Sequence, residues 1–457
     1  MRSSHSFMIC LALGSALACG GGGGGSTPAP PPAPPTSVSY GAASYLLQVG
    51  TAASIPAPTV GGGTATQFTV NPGLPSGLSF NAATGAVTGT PAAATAYFST
   101  YTVTASNGGG GTNGQLKLAV NPVPASQWTA TGSTTFLASY QSLTLLPDGK
   151  VLLAGYYGTG VYDPGTGTWS VVANPALRRS GAASVLLPSG KVFLSGGYNS
   201  DSSQPTATCE LYDPALNTWT VTAPMATARQ WHSATLLTSG KVLVVGGATT
   251  GQTSIGSAEL YDPATNAWSA VPSVSPRDLH SAVRLGDGRV LVAGGYQRPA
   301  MTTTNGSTLY EPSTNTWRSA GDLPEARAYA GALLLPNGKV LLAGGSAQGQ
   351  SSATCRLFDP GTLAWSATGS LPQTFPNGPG LVLLPNGKAL LAGGEAPVAD
   401  PGASALYDPA LGTWQTAGTH LHGVYAHDMI VLLNGKALLV GGRNNQNGGF
   451  TSAELFW

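Results

Sequence analysis

Charge is what this chain has least of. Charged side chains make up 8% of its 457 residues, against about a quarter in ordinary soluble domains. The formal net charge is +1. There is no basic field to hold nucleic acid and no acidic field to gather cations. Long apolar runs are missing too. No stretch, Phe7–Ala18 included, reaches the roughly 18 apolar residues that a membrane-crossing helix needs. Cysteine is sparse, with 4 residues, and offers no disulfide framework to read. What is plentiful is Gly (64) and Pro (35), spread among many short alternating runs. That pattern predicts an all-β, turn-rich protein, and the length predicts two or more domains.

The first 19 residues read as a targeting segment and stand outside the fold. Arg2 supplies the positive end, and "FMICLALGSALA" (Phe7 to Ala18) is a short apolar core. "ALAC" resembles a bacterial lipoprotein lipobox, with Cys19 as the lipidated residue, although Ala16 stands where Leu is usual. "Ala16-Leu17-Ala18" also reads as an ordinary small-x-small cleavage site, which would leave Cys19 a free thiol and the protein secreted. Residues 20–37 follow as "GGGGGGSTPAPPPAPPTS", half flexible and half stiff, a spacer suited to lifting a folded body off a membrane.

Residues 38–122 hold short strands separated by Gly and Pro, the pattern of a small β-sandwich. "GLPSGLSFNAATGAVTGTP" (Gly73 to Pro91) resembles the bacterial putative-Ig, cadherin-like module. The resemblance implies a spacer or adhesive unit. The segment has no Cys pair and no acidic run of the kind a calcium site needs.

From Leu145 one phrase recurs, as "LLPDGKVLLAG", "LLPSGKVFLSGG" and "LLTSGKVLVVGG", then in four further copies. The Gly before Lys or Arg falls at 149, 190, 240, 288, 338, 387 and 435, a period of about 50. Asp-Gly or Asn-Gly supplies a hairpin turn, and the strand after it is apolar on both faces, as a strand between two neighbouring sheets should be. A second phrase, such as "LYDPATNAW", follows in the first six copies and ends at Trp169, Trp219, Trp268, Trp317, Trp365 and Trp414. Each unit is therefore a four-stranded antiparallel sheet, a to d. These Gly doublets and the Tyr-to-Trp spacing of seven resemble kelch repeats, most of all those of bacterial kelch proteins and galactose oxidase. The resemblance covers residues 123–457 and implies a seven-bladed propeller.

Unit seven stops at "AELFW" and lacks a strand d. "SQWTATGS" (Ser126 to Ser133) supplies it from before unit one, with Trp128 in the tryptophan position, so the ring closes. Cys209 and Cys355 share one strand-c position in units two and five. They are expected to be two buried free thiols, too far apart to bridge.

Strand alternation puts the stereotyped a–b and c–d turns on one face. The variable b–c and d–a loops share the other, where binding usually lives. Unit one has almost no b–c loop, since 20 residues separate Gly149 from Trp169 against 27 to 29 elsewhere. This predicts a notch beside Tyr156 and Tyr157. Arg179, Arg229, Arg277 and Arg327 precede strand a in four successive units, and Tyr198, Tyr296, Arg298 and Arg443 follow Gly doublets. In peptide-binding kelch domains such positions line the pocket, so the resemblance implies a ligand rim made of these eight residues. The plainer alternative is that the arginines hydrogen-bond loop carbonyls and hold the ring together. His232, His280 and His427 share one repeat position, which favours a structural role. His420, His422 and His427 with Asp428 can be drawn as a metal cluster, but no carboxylate or Cys partner is fixed by spacing.

A copper-radical oxidase site of the galactose oxidase kind would resemble a Tyr-Cys cross-link, a Tyr-His pair and a His from a further domain. The chain has no Tyr-His dipeptide, and Cys209 and Cys355 fall on strand c. "DPGTGTW" (Asp163 to Trp169) resembles a sialidase Asp box with one residue too many. The reading is a non-enzymatic, monomeric envelope module, lipid-anchored at the outer membrane or cell surface. It needs no cofactor and no metal, and it binds a protein or glycan on the variable-loop face. The alternative is an envelope enzyme with a site at the channel mouth.

Overall fold

The computed structural model describes residues 31–42, 44–95, 99–121, 127–375, 378–394, 402–444 and 448–457. The targeting segment and Cys19 lie outside them, as does most of the b–c loop of unit six.

The N-terminal domain is a β-sandwich. Tyr45–Gln48 runs parallel to the end of Gly110–Asn121, and Ser99–Asn107 and Gln67–Asn71 complete that sheet. Ala53–Ile55, Val87–Gly89 and Leu78–Phe80 form a second sheet. Ile55, Val87, Val103, Leu116 and Leu118 fill the space between. The Gly-rich phrase has a steric reason: a Cβ on Gly89 would stand 2.2 Å from the Gly77 carbonyl oxygen. The first strand, Pro35–Ser39, begins inside the segment whose composition reads as spacer. Pro35 opens the strand, where proline costs no ladder hydrogen bond.

The rest of the described chain is a ring of seven four-stranded antiparallel sheets. Each is ordered a-b-c-d, and strand a of each unit packs beside strand a of the next. Strand a of unit one (Ser142–Leu145) packs beside that of unit seven (Asp428–Val431), which closes the ring. All four residues of strand b are buried in every unit, from Val151–Ala154 to Ala437–Val440. These strands are apolar on both faces because each sheet is packed on both sides. The seven hairpin glycines take φ between 80° and 91°, the left-handed region that glycine enters without cost.

Strand d of unit seven is Trp128–Thr131, paired with Ala453–Phe456 so that Trp128 lies opposite Phe456. The same register puts Tyr212 opposite Trp219 and Tyr310 opposite Trp317. The tryptophans also tie neighbours together: Trp219 Nε1 donates to Ala173 O at 2.8 Å, and Trp268 Nε1 to Ala223 O at 2.8 Å.

On the stereotyped face a Lys of the a–b turn reaches the Asp of the c–d turn, as in Lys191–Asp213 and Lys241–Asp262, both 3.0 Å. In unit seven the Asp position is Trp457, and the Lys436 ammonium sits 4.4 Å from its ring centroid instead. Cys209 and Cys355 are fully buried and form no disulfide. Burial pushes both thiols up to about 11.

Candidate functional site

The four repeated arginines are not on the rim. Arg179, Arg229, Arg277 and Arg327 are at most 3% exposed, which corrects their assignment as ligand-facing residues. Their guanidinium groups point into the sheet junctions. Arg229 Nη1 donates to Gly246 O at 2.8 Å and Ser257 O at 2.9 Å. Arg277 Nη1 donates to Gly294 O at 3.0 Å and Gly306 O at 2.8 Å. Arg179 and Arg229 also pair with Glu210 and Glu259, and those carboxylates accept the Ala176 and Ala226 N–H groups at 2.7 Å. Burial pulls Arg179 and Arg277 down to about 10. The sequence alternative of ring-building arginines is the arrangement found. Buried carbonyls left by the Gly doublets and the b–c loops need donors, and an arginine fork meets several at once.

Tyr198, Tyr296, Arg298 and Arg443 do lie on the variable-loop face. The b–c loops there are short ribbons, Tyr198–Asn199 with Gln204–Pro205 in unit two and Tyr296–Gln297 with Thr302–Thr303 in unit four. Arg443 lies 5.8 Å from the Tyr425 ring centroid, away from the others. Arg298 is held most firmly. Its guanidinium is 4.8 Å from the Trp231 ring centroid and 4.9 Å from that of Tyr296. Nη1 donates to Gln252 Oε1 at 2.7 Å, and Nε pairs with buried Asp278 at 3.3 Å. In unit one the notch is present. Strand b ends at Ala154 and strand c starts at Thr159, leaving Tyr157 46% exposed.

A collar of seven residues, each two before strand a, surrounds the channel mouth: Tyr140, Gly181, Trp231, Leu279, Tyr329, Gly378 and Ala426. All have positive φ, from 51° at Tyr140 to 79° at Gly378. Their backbones are linked in sequence: Gly181 N donates to Tyr140 O at 2.9 Å, Trp231 N to Gly181 O at 3.0 Å, Leu279 N to Trp231 O at 3.2 Å, and Tyr329 N to Leu279 O at 3.0 Å. Tyr140 N donates to Ala426 O at 2.8 Å. Two units fill the position with Gly, the residue it suits. Tyr140, Trp231 and Tyr329 fill it with aromatic rings at a cost of roughly 1–2 kcal/mol each. The sequence reading missed this collar. The signal was the residue two after each repeated arginine, Gly181, Trp231, Leu279 and Tyr329, a position where one of these units has Gly and the others have large apolar or aromatic residues.

Tyr140 and Trp231 open into a groove of about 420 Å³ between units two and three. Its other walls include Tyr198, Gln204, Gln230 and Gln252. A second cavity, of about 480 Å³, lies where Leu47–Gln48 and Thr51–Ala53 meet the stereotyped face. The propeller side of that cavity is mainly hairpin turns of a kind every unit repeats.

The histidines serve separate packing sites. His232 Nε2 lies 3.0 Å from Ser195 Oγ, and His280 Nε2 lies 2.8 Å from Ser233 Oγ. His427 Nε2 accepts Gly380 N–H at 3.1 Å, and His420 Nε2 accepts Gly393 N–H at 3.2 Å. His422 stacks on Phe450 at 4.4 Å. The drawn cluster of His420, His422, His427 and Asp428 does not converge. Among the described residues no three His, Cys, Asp or Glu side chains stand together as a metal site would require.

The sheets and their turns define a kelch-type β-propeller carried behind an Ig-like domain. Residues 181–394 match the KLHDC2/KLHL20/DRC7 Kelch-repeats domain, and residues 26–121 match the Putative Ig domain. The chain thus carries a kelch-repeat domain and an N-terminal Ig-type domain. It is similar in structure to a fungal alcohol oxidase of the AA5 family, solved in complex with copper. The two are 18% identical over 72% of this chain and 76% of that one, with a TM-score of 0.59. That likeness shows a shared fold. No curated protein matches the chain by sequence.

Proposed function

We propose that this is a binding module of the cell envelope, whose ligand docks on the variable-loop face in the groove between units two and three. The observation that supports this is the groove itself, where aromatic rings and carboxamides gather on a rigid ring. Rigid platforms with variable loops are where recognition is usually built. The test uses three immobilised baits exposed to envelope proteins and glycans. They are the full chain, the Tyr198→Ala/Gln204→Ala variant, and Lys241→Ala on the stereotyped face. A ligand should be held by the first and third and lost by the second. Equal capture by all three would remove the groove from the function. Oxidation of an alcohol by copper-loaded protein would replace the binding reading with an enzymatic one.

We also propose that Cys19 carries a lipid. The Cys19→Ala variant is expected to move from the membrane to the soluble fraction of fractionated cells. An unchanged distribution would instead assign the leader to plain secretion.

A further inference from the structure

The groove between units two and three has a chemistry of its own, and the inference here rests on its being the ligand site. We propose that it takes an uncharged sugar unit of a polysaccharide.

Several of the polar groups that line the groove are unspent. Among the described residues the carboxamides of Gln204 and Gln230, the Tyr198 hydroxyl and the Trp231 indole N–H have no side-chain hydrogen-bond partner, yet all four residues face the cavity. Carboxamides offer donors and an acceptor side by side, which matches the adjacent hydroxyls of a sugar, each both donor and acceptor. Aromatic rings supply the complement for the sugar's C–H face, apolar over the ring and polar at the tip.

Charge and shape narrow the class. No charged side chain lines the groove. Arg298, which lies over Trp231, is already committed to Asp278, Gln252 and two aromatic rings. A phosphate or carboxylate would find no free partner. A peptide would want a pocket for an aliphatic or aromatic anchor, and no aliphatic side chain other than Pro205 lines this one. The volume of about 420 Å³ lies in the ordinary small-ligand range of about 300–1,000 Å³.

The position of Trp231 is the second, independent observation. The indole is kept at φ 57°, where Gly would be free of strain. It lies over Gly181, where a Cβ would come within 2.9 Å of indole Cδ1 and Nε1. Two neighbouring positions of the collar are thus suited to one presented ring.

The test is affinity electrophoresis of the full chain through gels carrying soluble neutral polysaccharides (dextran, galactomannan, mixed-linkage glucan), with polygalacturonate as the acidic control. At least one neutral polymer should retard the protein and the acidic polymer should not. Trp231→Leu should weaken the interaction about tenfold or more, as loss of a central aromatic does. Trp231→Tyr should stay within about threefold, because it keeps a ring. Leu279 and Tyr329 occupy the equivalent collar positions, so both variants are compatible with the fold. No retardation by any neutral polymer, or retardation unchanged in Trp231→Leu, overturns the sugar assignment. If a protein ligand is captured and lost in Trp231→Leu while the polymers are ignored, the groove stands as the binding site and only the sugar falls.

Discussion

Trp128→Ala should lower the unfolding free energy of the propeller by about 3 kcal/mol, the lower end for a large aromatic because Trp128 is only half-buried. The ring lies 5.3 Å from both Phe456 and His420, and Nε1 donates to Ser404 Oγ at 2.9 Å. The same substitution at Trp268 removes a comparable side chain from a comparable register. The two should differ in one respect. Trp268 lies on a strand joined to its own sheet by a short turn, so the strand stays in place. Trp128–Thr131 has no such turn and is held to unit seven by its pairing with Ala453–Phe456 and by the packing of Trp128 on Phe456. Loss of Trp128 should therefore loosen the seam, and hydrogen exchange at Ala453–Phe456 should speed up. The corresponding strand c residues in unit three, Ala258–Asp262, should stay protected in Trp268→Ala. Equal protection at the two places would mean that the N-terminal strand does not carry the closure.

The units, their strand order and the closing strand were legible in the sequence because each is written by local rules repeated seven times. A Gly at φ near 80° marks each a–b turn, and a continuous apolar run marks each strand b. The arginines show where such reading stops. Arg229 and Arg298 both stand beside loops on the same face. Nothing local says that Arg229 turns inward to the Gly246 and Ser257 carbonyls while Arg298 turns outward over Trp231. That choice depends on which carbonyls the neighbouring strands leave unpaired, which is a property of the assembled ring. The groove was hidden for the same reason. Tyr140, Tyr198 and Trp231 come from units one, two and three, and only ring geometry brings them together.

Acid should destabilise this protein more steeply than its few charges suggest. Burial holds His232, His280 and His420 neutral, with values near 3, and His427 near 4. In the unfolded chain each takes a proton near pH 6.5. The unfolded state therefore binds more protons between about pH 6.5 and 4, and stability falls as pH falls through that window. Three carboxyls oppose this. Burial raises Asp428 to about 6 and raises Asp278 and Glu454 as well, so the folded state takes up their protons first and is favoured by acid. Four imidazoles against three carboxyls leave a net deficit of about one proton, or roughly 1.4 kcal/mol per pH unit. Two pH units at that slope amount to about 3 kcal/mol, a sizeable share of the roughly 5–15 kcal/mol that holds an ordinary domain. Urea midpoints between pH 7 and pH 4.5 should fall accordingly. His232→Gln should flatten the slope by about one proton, because a carboxamide can still reach Ser195 without titrating. A midpoint that stays level from pH 7 to pH 4.5 would show that these imidazoles are hydrated in the fold, and that the sheet junctions they occupy are open to water.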